Sequence, residues 1–456
     1  MMQAQRIRNR NNKPIQQRGF VLYWMQASQR AEWNHALEYA ILQANKRIKP
    51  VLAAFSLTDD FPEANQRHYA FMLQGLRETQ AALAERHIQL VILRGNPVKT
   101  IPQLARQADM LVMDDGYLRC QRQWRDSIAL SADCLACEVA ANLIVPAEEA
   151  SDKENFSART FRPRIHKQLP QYLIPLQHSK PRCSSLNLQF SSYDISNTEQ
   201  TLKQLNIDHS IAPSIFYTGG TSQAKQRLRK FIQEKLDAYP DHRSDPLQNC
   251  QSHLSPYLHF GQISPLYIAL EILKTDSPGK DSFLEELIVR RELSHNFVYY
   301  NRRYDQFDAL PHWALRTLKL HAKDKRLSIY SLDEFEHART HDPFWNAAQT
   351  EMALTGKMHN YMRMYWGKKI IEWSRTPEEA YHIALHLNNK YQLDGRDPNS
   401  FAGIAWCFGK HDRPWGRHPV FGTVRYMNAA GLKRKFNPAA YADTISNLRL
   451  AEKQCR

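Results

Sequence analysis

From Phe20 to about Pro146, short apolar runs alternate with amphipathic stretches. FVLYWM, PVLAAFSL, IQLVILRG, ADMLVMDD and EVAANLIVP read as five strands, and helical segments such as 31–47 and 65–86 follow the first four. Alternation of this kind predicts an α/β domain with a parallel five-stranded sheet covered by helices on both faces. The first strand runs into QASQRAEW rather than a G-x-G-x-x-G turn, which argues against a dinucleotide held there in the usual way. Past residue 150 the pattern changes. Residues 151–222 are rich in Ser, Gln, Pro and Asn without a long periodic run, and read as a connector, partly packed and partly mobile. Amphipathic segments at 223–237, 264–274, 282–299, 331–339, 344–373, 377–390 and 438–450 then make the rest an all-α domain, 223–456. The α/β domain is placed at 19–150, and residues 1–18, basic and polar, read as a flexible arm.

Charge narrows the partner. Lys and Arg number 61 against 46 Asp and Glu, a net +15, which favours a polyanion such as nucleic acid. Between Lys410 and Phe436 stand seven cations, including Arg413 and Arg425, and one anion, Asp412, with His411, Trp415 and Tyr426 interleaved. Cations mixed with aromatics fit a nucleic-acid face better than a solubility tail. Seven cysteines without a repeating spacing argue against a disulfide framework and for a reducing compartment. Cys134 and Cys137 form a lone C-x-x-C inside an apolar run, which reads as buried thiols and not as a metal or redox site. No run is apolar enough for a membrane span, and the N-terminus lacks the apolar core of a secretory signal. The expected location is the cytoplasm, with nucleoid association in a bacterium.

Six of the nine tryptophans fall between Trp313 and Trp415, among Arg, Lys, His, Asn and Met. An indole carries an N–H that needs a partner when buried, so rings beside cations suggest stacking on a planar ligand or passage of an electron. Ordinary packing would account for about half of them. In HNYMRMYWGKKIIEW (359–373), helical spacing sets Arg363, Trp366 and Trp373 along one stripe, and Asp394 and Asp397 follow as candidate partners for the arginine. The stretch 252–261 is Ser-rich before a helix near Pro265. Ser252 and Ser255 suit a phosphate, although a serine in such a place is more commonly a helix cap.

Taken together, YWMQASQRAEWNHALEYA (23–40), DDGYLR (114–119), HLSPYLHFGQIS (253–264), FLEELIVRRELSHNFVYYN (283–301), HDPFWNAAQ (341–349), GKMHNYMRMYWGKKIIEW (356–373), LDGRDPNSFAGIAW (393–406) and VFGTVRYMNAAGLKRKF (420–436) strongly resemble the class II cyclobutane pyrimidine dimer photolyases. The agreement is nearly collinear from Gly19 to Phe436. The resemblance implies a Rossmann-like α/β domain, an all-α domain holding FAD in a U shape, and light-driven repair of dimers in DNA. In that chemistry the reduced flavin lends an electron to a dimer flipped out of the duplex, and the electron returns after the ring splits. A monomer is expected. A deazaflavin-type antenna often accompanies the family, but no residue pattern here marks its pocket.

The resemblance also implies roles. Tyr239 and the run Ser252, His253, Leu254, Ser255 match flavin phosphate-binding positions. Arg363 and Asp394 match the ion pair beside the isoalloxazine, with Gly395 and Arg396 on the same wall and Asn388 at the flavin's redox-active edge. Glu286 matches the acid that hydrogen-bonds the dimer, and Met364 and Trp406 match the floor and wall of its pocket. Trp366, Trp345 and Trp373, in that order, match an electron path outward from the flavin. Arg243, Arg413 and Arg425 are candidates for the lesion strand and the gap in the duplex, and no metal is expected. Two positions depart from the pattern: Asn360 replaces a small residue at the rim, and Arg290 stands where some members have Trp. A cryptochrome-like signalling flavoprotein is the alternative, and a non-enzymatic binder of damaged DNA a third reading. The intact set Glu286, Met364 and Trp406 favours repair.

Overall fold

The computed structural model describes residues 2–455. Six strands form one sheet: β1 (Ile7–Asn9), β2 (Phe20–Trp24), β3 (Val51–Leu57), β4 (Gln89–Arg94), β5 (Ala108–Asp114) and β6 (Leu135–Val139), in the order β1-β6-β5-β2-β3-β4. β2 to β6 are parallel, and β1 adds antiparallel at one edge, Ile7 opposite Val139. Helices α1 (His35–Arg47), α2 (Gln66–Glu85), α3 (Pro97–Ala105) and α4 (Arg119–Ser131) complete the α/β layers. Along β2, Val21 and Tyr23 join one core while Phe20, Leu22 and Trp24 join the other, which is why its sequence is apolar without alternation.

Two expectations about this domain are corrected. The basic arm is not free: Arg6 is fully buried, its guanidinium donating to the carbonyls of Ala140, Leu143 and Ile144, and Arg10 N and Gln16 N bond Ala136 O and Asp109 O. A three-residue edge strand shows no apolar run in the sequence, and it brings the sheet to six strands rather than five. The last strand ends at Val139 instead of continuing to 146. Residues Ala140, Ala141 and Leu143–Val145 stay apolar because they are buried after the strand has ended.

At the switch point between β2 and β5, where such sheets commonly bind ligands, the Asp114 carboxylate accepts N–H groups of Gln26, Ala27 and Ser28 at 2.9, 2.7 and 2.7 Å. Gly261 of the helical domain closes the crevice, since a Cβ there would sit 1.9 Å from Ala27 O. The turn amides that would cradle a diphosphate are therefore already satisfied.

The connector packs against both domains. After α5 (Ala147–Ala150), α6 (Ala158–Tyr172) buries Phe161 and Ile165 in the core it shares with the helical domain. The chain then returns along the sheet edge, where Ser185 N bonds His87 O and Tyr193 N bonds Ile92 O, before α7 (Thr198–Gln204). The helical domain begins with α8 (Thr221–Glu234), α9 (Tyr239–His242), α10 (Ser255–His259), α11 (Pro265–Leu273) and α12 (Lys280–Leu284). A π-helical turn, Glu285–Arg290, leads into α13 (Arg291–Tyr300), α14 (His312–Leu320) and α15 (Leu332–Glu336). There follow α16 (Pro343–Thr355), α17 (Asn360–Trp373), α18 (Pro377–Tyr391) and α19 (Pro398–Cys407), and α20 (Ala429–Lys433) and α21 (Pro438–Cys455) close the chain. Among the described residues no helix is long and apolar enough to cross a membrane.

Residues 63–68 bind the two domains together. Asn65 Nδ2 donates to Lys390 O, and Arg67 donates to the carbonyls of Met352, Ala353 and Tyr391. His68 Nε2 meets Gln392 O at 3.0 Å. The α/β domain thereby supplies partners for the C-terminal carbonyls of α16 and α18, groups that a helix cannot satisfy itself.

Candidate active site

A cleft of about 570 Å³ opens between the π-turn, α13, the 251–258 segment, α17 and α19. Of the residues expected at a site, Tyr239, Arg243, Ser252, His253, Leu254, Ser255, Glu286, Arg290, Arg363, Met364, Asp394, Trp406 and Arg425 line it. They come from segments far apart in sequence. The π-turn has a direct role: its i→i+5 repeat sets Arg290 beside Glu285, with Nε 3.2 Å from Oε1, and presents Glu286 and Arg290 to the same cleft.

At the base, Arg363 Nη2 lies 3.5 Å from Asp394 Oδ1 and donates to Gln392 Oε1 at 3.0 Å. Burial works to raise the Asp394 carboxyl, but Arg363, Lys357 and the Ser255 hydroxyl outweigh it and hold it below the usual carboxylate range. Lys357, which sequence reasoning missed, donates to Ser255 Oγ at 3.2 Å, and burial brings its ammonium down to about 8. His253 adopts a left-handed backbone with φ of 55°, accepts from Tyr217 Oη at Nδ1, and is kept neutral mainly by burial.

At the mouth, Arg243 Nη1 donates to Glu286 Oε1 at 2.6 Å, with both side chains about one-third exposed, and Trp406 is 38 % exposed. Trp415 sits outside the cleft with the guanidiniums of Arg413 and Arg425 over its ring at 5.4 and 4.8 Å. Arg425 reaches the cleft and Arg413 does not line it.

The tryptophans fall into a row. Trp366 and Trp345 stack with centroids 6.3 Å apart and planes within 7°, and Trp345 lies 6.2 Å from Trp373. The indole N–H groups are satisfied, Trp345 Nε1 by Trp366 O and Trp366 Nε1 by Gln349 Oε1. Trp373 is itself buried, and the row reaches the surface through the exposed ring of His341, 4.9 Å from Trp373.

Besides Arg413, three expected residues stand elsewhere. Arg396, with φ of 60°, turns away from the cleft and donates to Asn389 O and the His68 ring, so it pins the loop instead of lining its wall. Gly395 is enclosed by backbone, and a Cβ there would meet the Asn388 and Gln392 carbonyl oxygens at 2.9 Å. Asn388 is fully buried behind the lining, its amide given to Ser400 Oγ. Asn399, unremarked in the sequence, faces the cleft in the same region.

Whether FAD suits these residues can be judged from the polar atoms left over. Arg363 Nε, Asp394 Oδ1 and Arg291 Nη1, on residues that line the cleft, are buried without a hydrogen-bond partner. Buried polar groups are normally paired, so donors and acceptors left over at the base of the cleft fit a large polar group such as the flavin ring.

Comparison with known proteins decides the family. The deoxyribodipyrimidine photo-lyase of Methanothermobacter thermautotrophicus is 51% identical over 449 residues, covering 98% of this chain and 99% of that protein. The chain belongs to the DNA photolyase family. The DNA photolyase family model matches residues 21–183, the α/β domain and the first part of the connector. The deoxyribodipyrimidine photo-lyase of Arabidopsis thaliana is 41% identical, over 94% of this chain and 89% of its own length. Among solved structures, a Synechocystis cryptochrome superposes with a TM-score of 0.72 at 16% identity, covering 95% of this chain and 88% of that one. A Sulfolobus tokodaii photolyase carrying two FAD molecules gives 0.71 at 16% identity over 92% and 88%. In this member of the family the cleft lies wholly within the helical part of the chain.

Proposed function

We propose that this chain is a class II cyclobutane pyrimidine dimer photolyase that repairs DNA in light. One observation carries the reading: a single cleft combines a buried Arg363–Asp394 pair and partnerless polar atoms at its base with Glu286, Met364 and Trp406 at its mouth. Reduced FAD, when bound at the base, supplies on illumination the electron that splits the dimer and takes it back afterwards. The rest is done by this chain. Arg363 and Asp394 orient the ring, and Ser252, Ser255 and Lys357 meet the phosphates. Glu286, held by Arg243 at 2.6 Å, hydrogen-bonds the dimer. Met364 and Trp406 exclude water and give the flipped bases an apolar contact, worth roughly 1–3 kcal/mol per stacked base against the few kcal/mol that flipping costs. Arg290 offers a cation and a planar stacking face where other members have an indole. Trp366, Trp345 and Trp373 conduct electrons inward from the surface, because an indole can be oxidised transiently at a spacing where Leu or Phe cannot. The test is loss of cyclobutane dimers from irradiated DNA with the reduced protein in light and in darkness, with (6–4) photoproducts as control. Equal loss in darkness, or none in light, removes the reading.

A further inference from the structure

Helix α6 lies in the stretch whose composition suggested only a connector, and its outer surface carries one sign of charge. Ala158, Phe161, Ile165 and Tyr172 bury the inner face. Arg159, Arg162 and His166, at i, i+3 and i+7, therefore share the outer face, with Lys167 beside them. Arg162 joins this face to the cleft: it donates to Glu285 at 3.0 and 2.6 Å, and Glu285 also takes Arg290 from the cleft wall. The turn before the helix reaches the same rim. Lys410 pairs with Glu154, and His411, which lines the cleft, meets Phe156 O at 3.0 Å through Nδ1. Phe156 itself is 53 % exposed. The nearby acids are occupied, Asp152 by Arg164 and Glu154 by Lys410. Lys153, Arg159 and Lys167 are exposed, and none of them forms an ion pair among the described residues.

A charged helix is ordinarily just a solvated one. Here the uncompensated cations and the exposed ring continue the rim of the cleft through two separate sets of contacts. We infer that α6 and the 153–156 turn form a ledge of the DNA face, taking the phosphate backbone of the duplex that flanks the dimer on one side. The inference rests on the reading of DNA as substrate. Each cation that neutralises a phosphate releases counterions and steepens the dependence of log affinity on log salt by about 0.9.

The experiment uses the full-length, FAD-loaded protein and the triple variant Lys153→Ala, Arg159→Ala, Lys167→Ala. Binding is measured in the dark across a salt series, on a long dimer-containing duplex and on a dimer-bearing pentanucleotide. On the duplex the slope should fall by about 2.7, three contacts at about 0.9 each, while pentanucleotide affinity and repair per bound dimer stay at parental values. The single variants Arg159→Gln and Lys167→Gln, milder on the fold, should each flatten it by about 0.9. An unchanged duplex slope, or an equal loss on the pentanucleotide, overturns the ledge. A parental protein with no preference for damaged over intact duplex would instead fail the substrate reading, and the ledge with it.

Discussion

Trp345 is the residue that makes a path out of separate aromatic positions. It belongs to α16, while Trp366 and Trp373 belong to α17, and its ring lies 6.3 Å from one and 6.2 Å from the other. Replacing Trp366 with Phe keeps an apolar ring and costs less than the roughly 3–5 kcal/mol of full truncation, but removes the oxidisable group. Light-driven reduction of oxidised flavin should then fall to background while chemically pre-reduced protein still repairs. Photoreduction at the parental rate would refute the path. Glu286 is a different case, about one-third exposed and bound to Arg243, so its loss should cost the fold under about 1 kcal/mol. Glu286→Ala is expected to lower repair yield per flavin while flavin content is retained, and parental yield would place the acid outside the lesion pocket. Residues of this kind were legible only in part. Spacing alone joined Arg363, Trp366 and Trp373, because they share one helix, but no period within one helix could bring in Trp345. Arg396 sits two residues from Asp394 and faces away, since a positive φ of 60° reverses the chain there.

At the scale of elements, the sequence revealed those built on continuous apolar patterns and concealed those made by context. β2 to β5 and the long helices were readable because both sheet faces and one helix face are buried. β1 is only three residues long and carries no apolar run, and the prolines Pro163 and Pro170 disguised α6 as irregular chain. The π-turn has no compositional mark. The contact between residues 63–68 and the ends of α16 and α18 was likewise hidden, because carbonyls are anonymous in a sequence. It has a measurable weight. Arg67, almost fully buried, donates to Met352, Ala353, Tyr391 and Ala212 carbonyls, and hydrogen bonds to a charged group contribute about 1.5–3 kcal/mol each, without simple additivity. Arg67→Met should therefore destabilise the FAD-loaded protein by at least about 3 kcal/mol and speed flavin release, since α18 carries Asn388 and leads into the Asp394 loop. Thermal melting followed by flavin fluorescence measures both, and a change under about 1 kcal/mol would show that the helix ends hold without the arginine.

The whole molecule depends on how its two domains dock, and Glu292 of α13 is the titratable group at the centre of that contact. Its carboxylate accepts from Ile144 N at 2.6 Å and Val145 N at 3.3 Å, in the loop that follows the last strand of the sheet. Burial pushes the carboxyl from 4.5 up to about 7, against the pull of Arg291, the two backbone N–H groups and Arg6. A carboxyl whose pKa is higher folded than unfolded binds its proton more tightly in the folded state. Its favourable contribution is complete below the unfolded value, declines as pH rises toward about 7, and is flat beyond. The decline is on the order of 3 kcal/mol at most. His295, one turn along and held by burial down to about 4, titrates in the opposite sense, as does the buried His68. Both are present in parent and variant, so the comparison with Glu292→Gln isolates the pH dependence of the acid: the glutamine keeps one acceptor oxygen, for the shorter bond from Ile144 N, gives up the longer one from Val145 N at every pH, and cannot ionise. Between pH 5 and pH 8 the parent should lose stability relative to the variant, read as a difference in melting temperature that grows with pH. Parallel profiles would mean that Glu292 stays ionised in the interface and that Arg291 and Arg6 outweigh its burial.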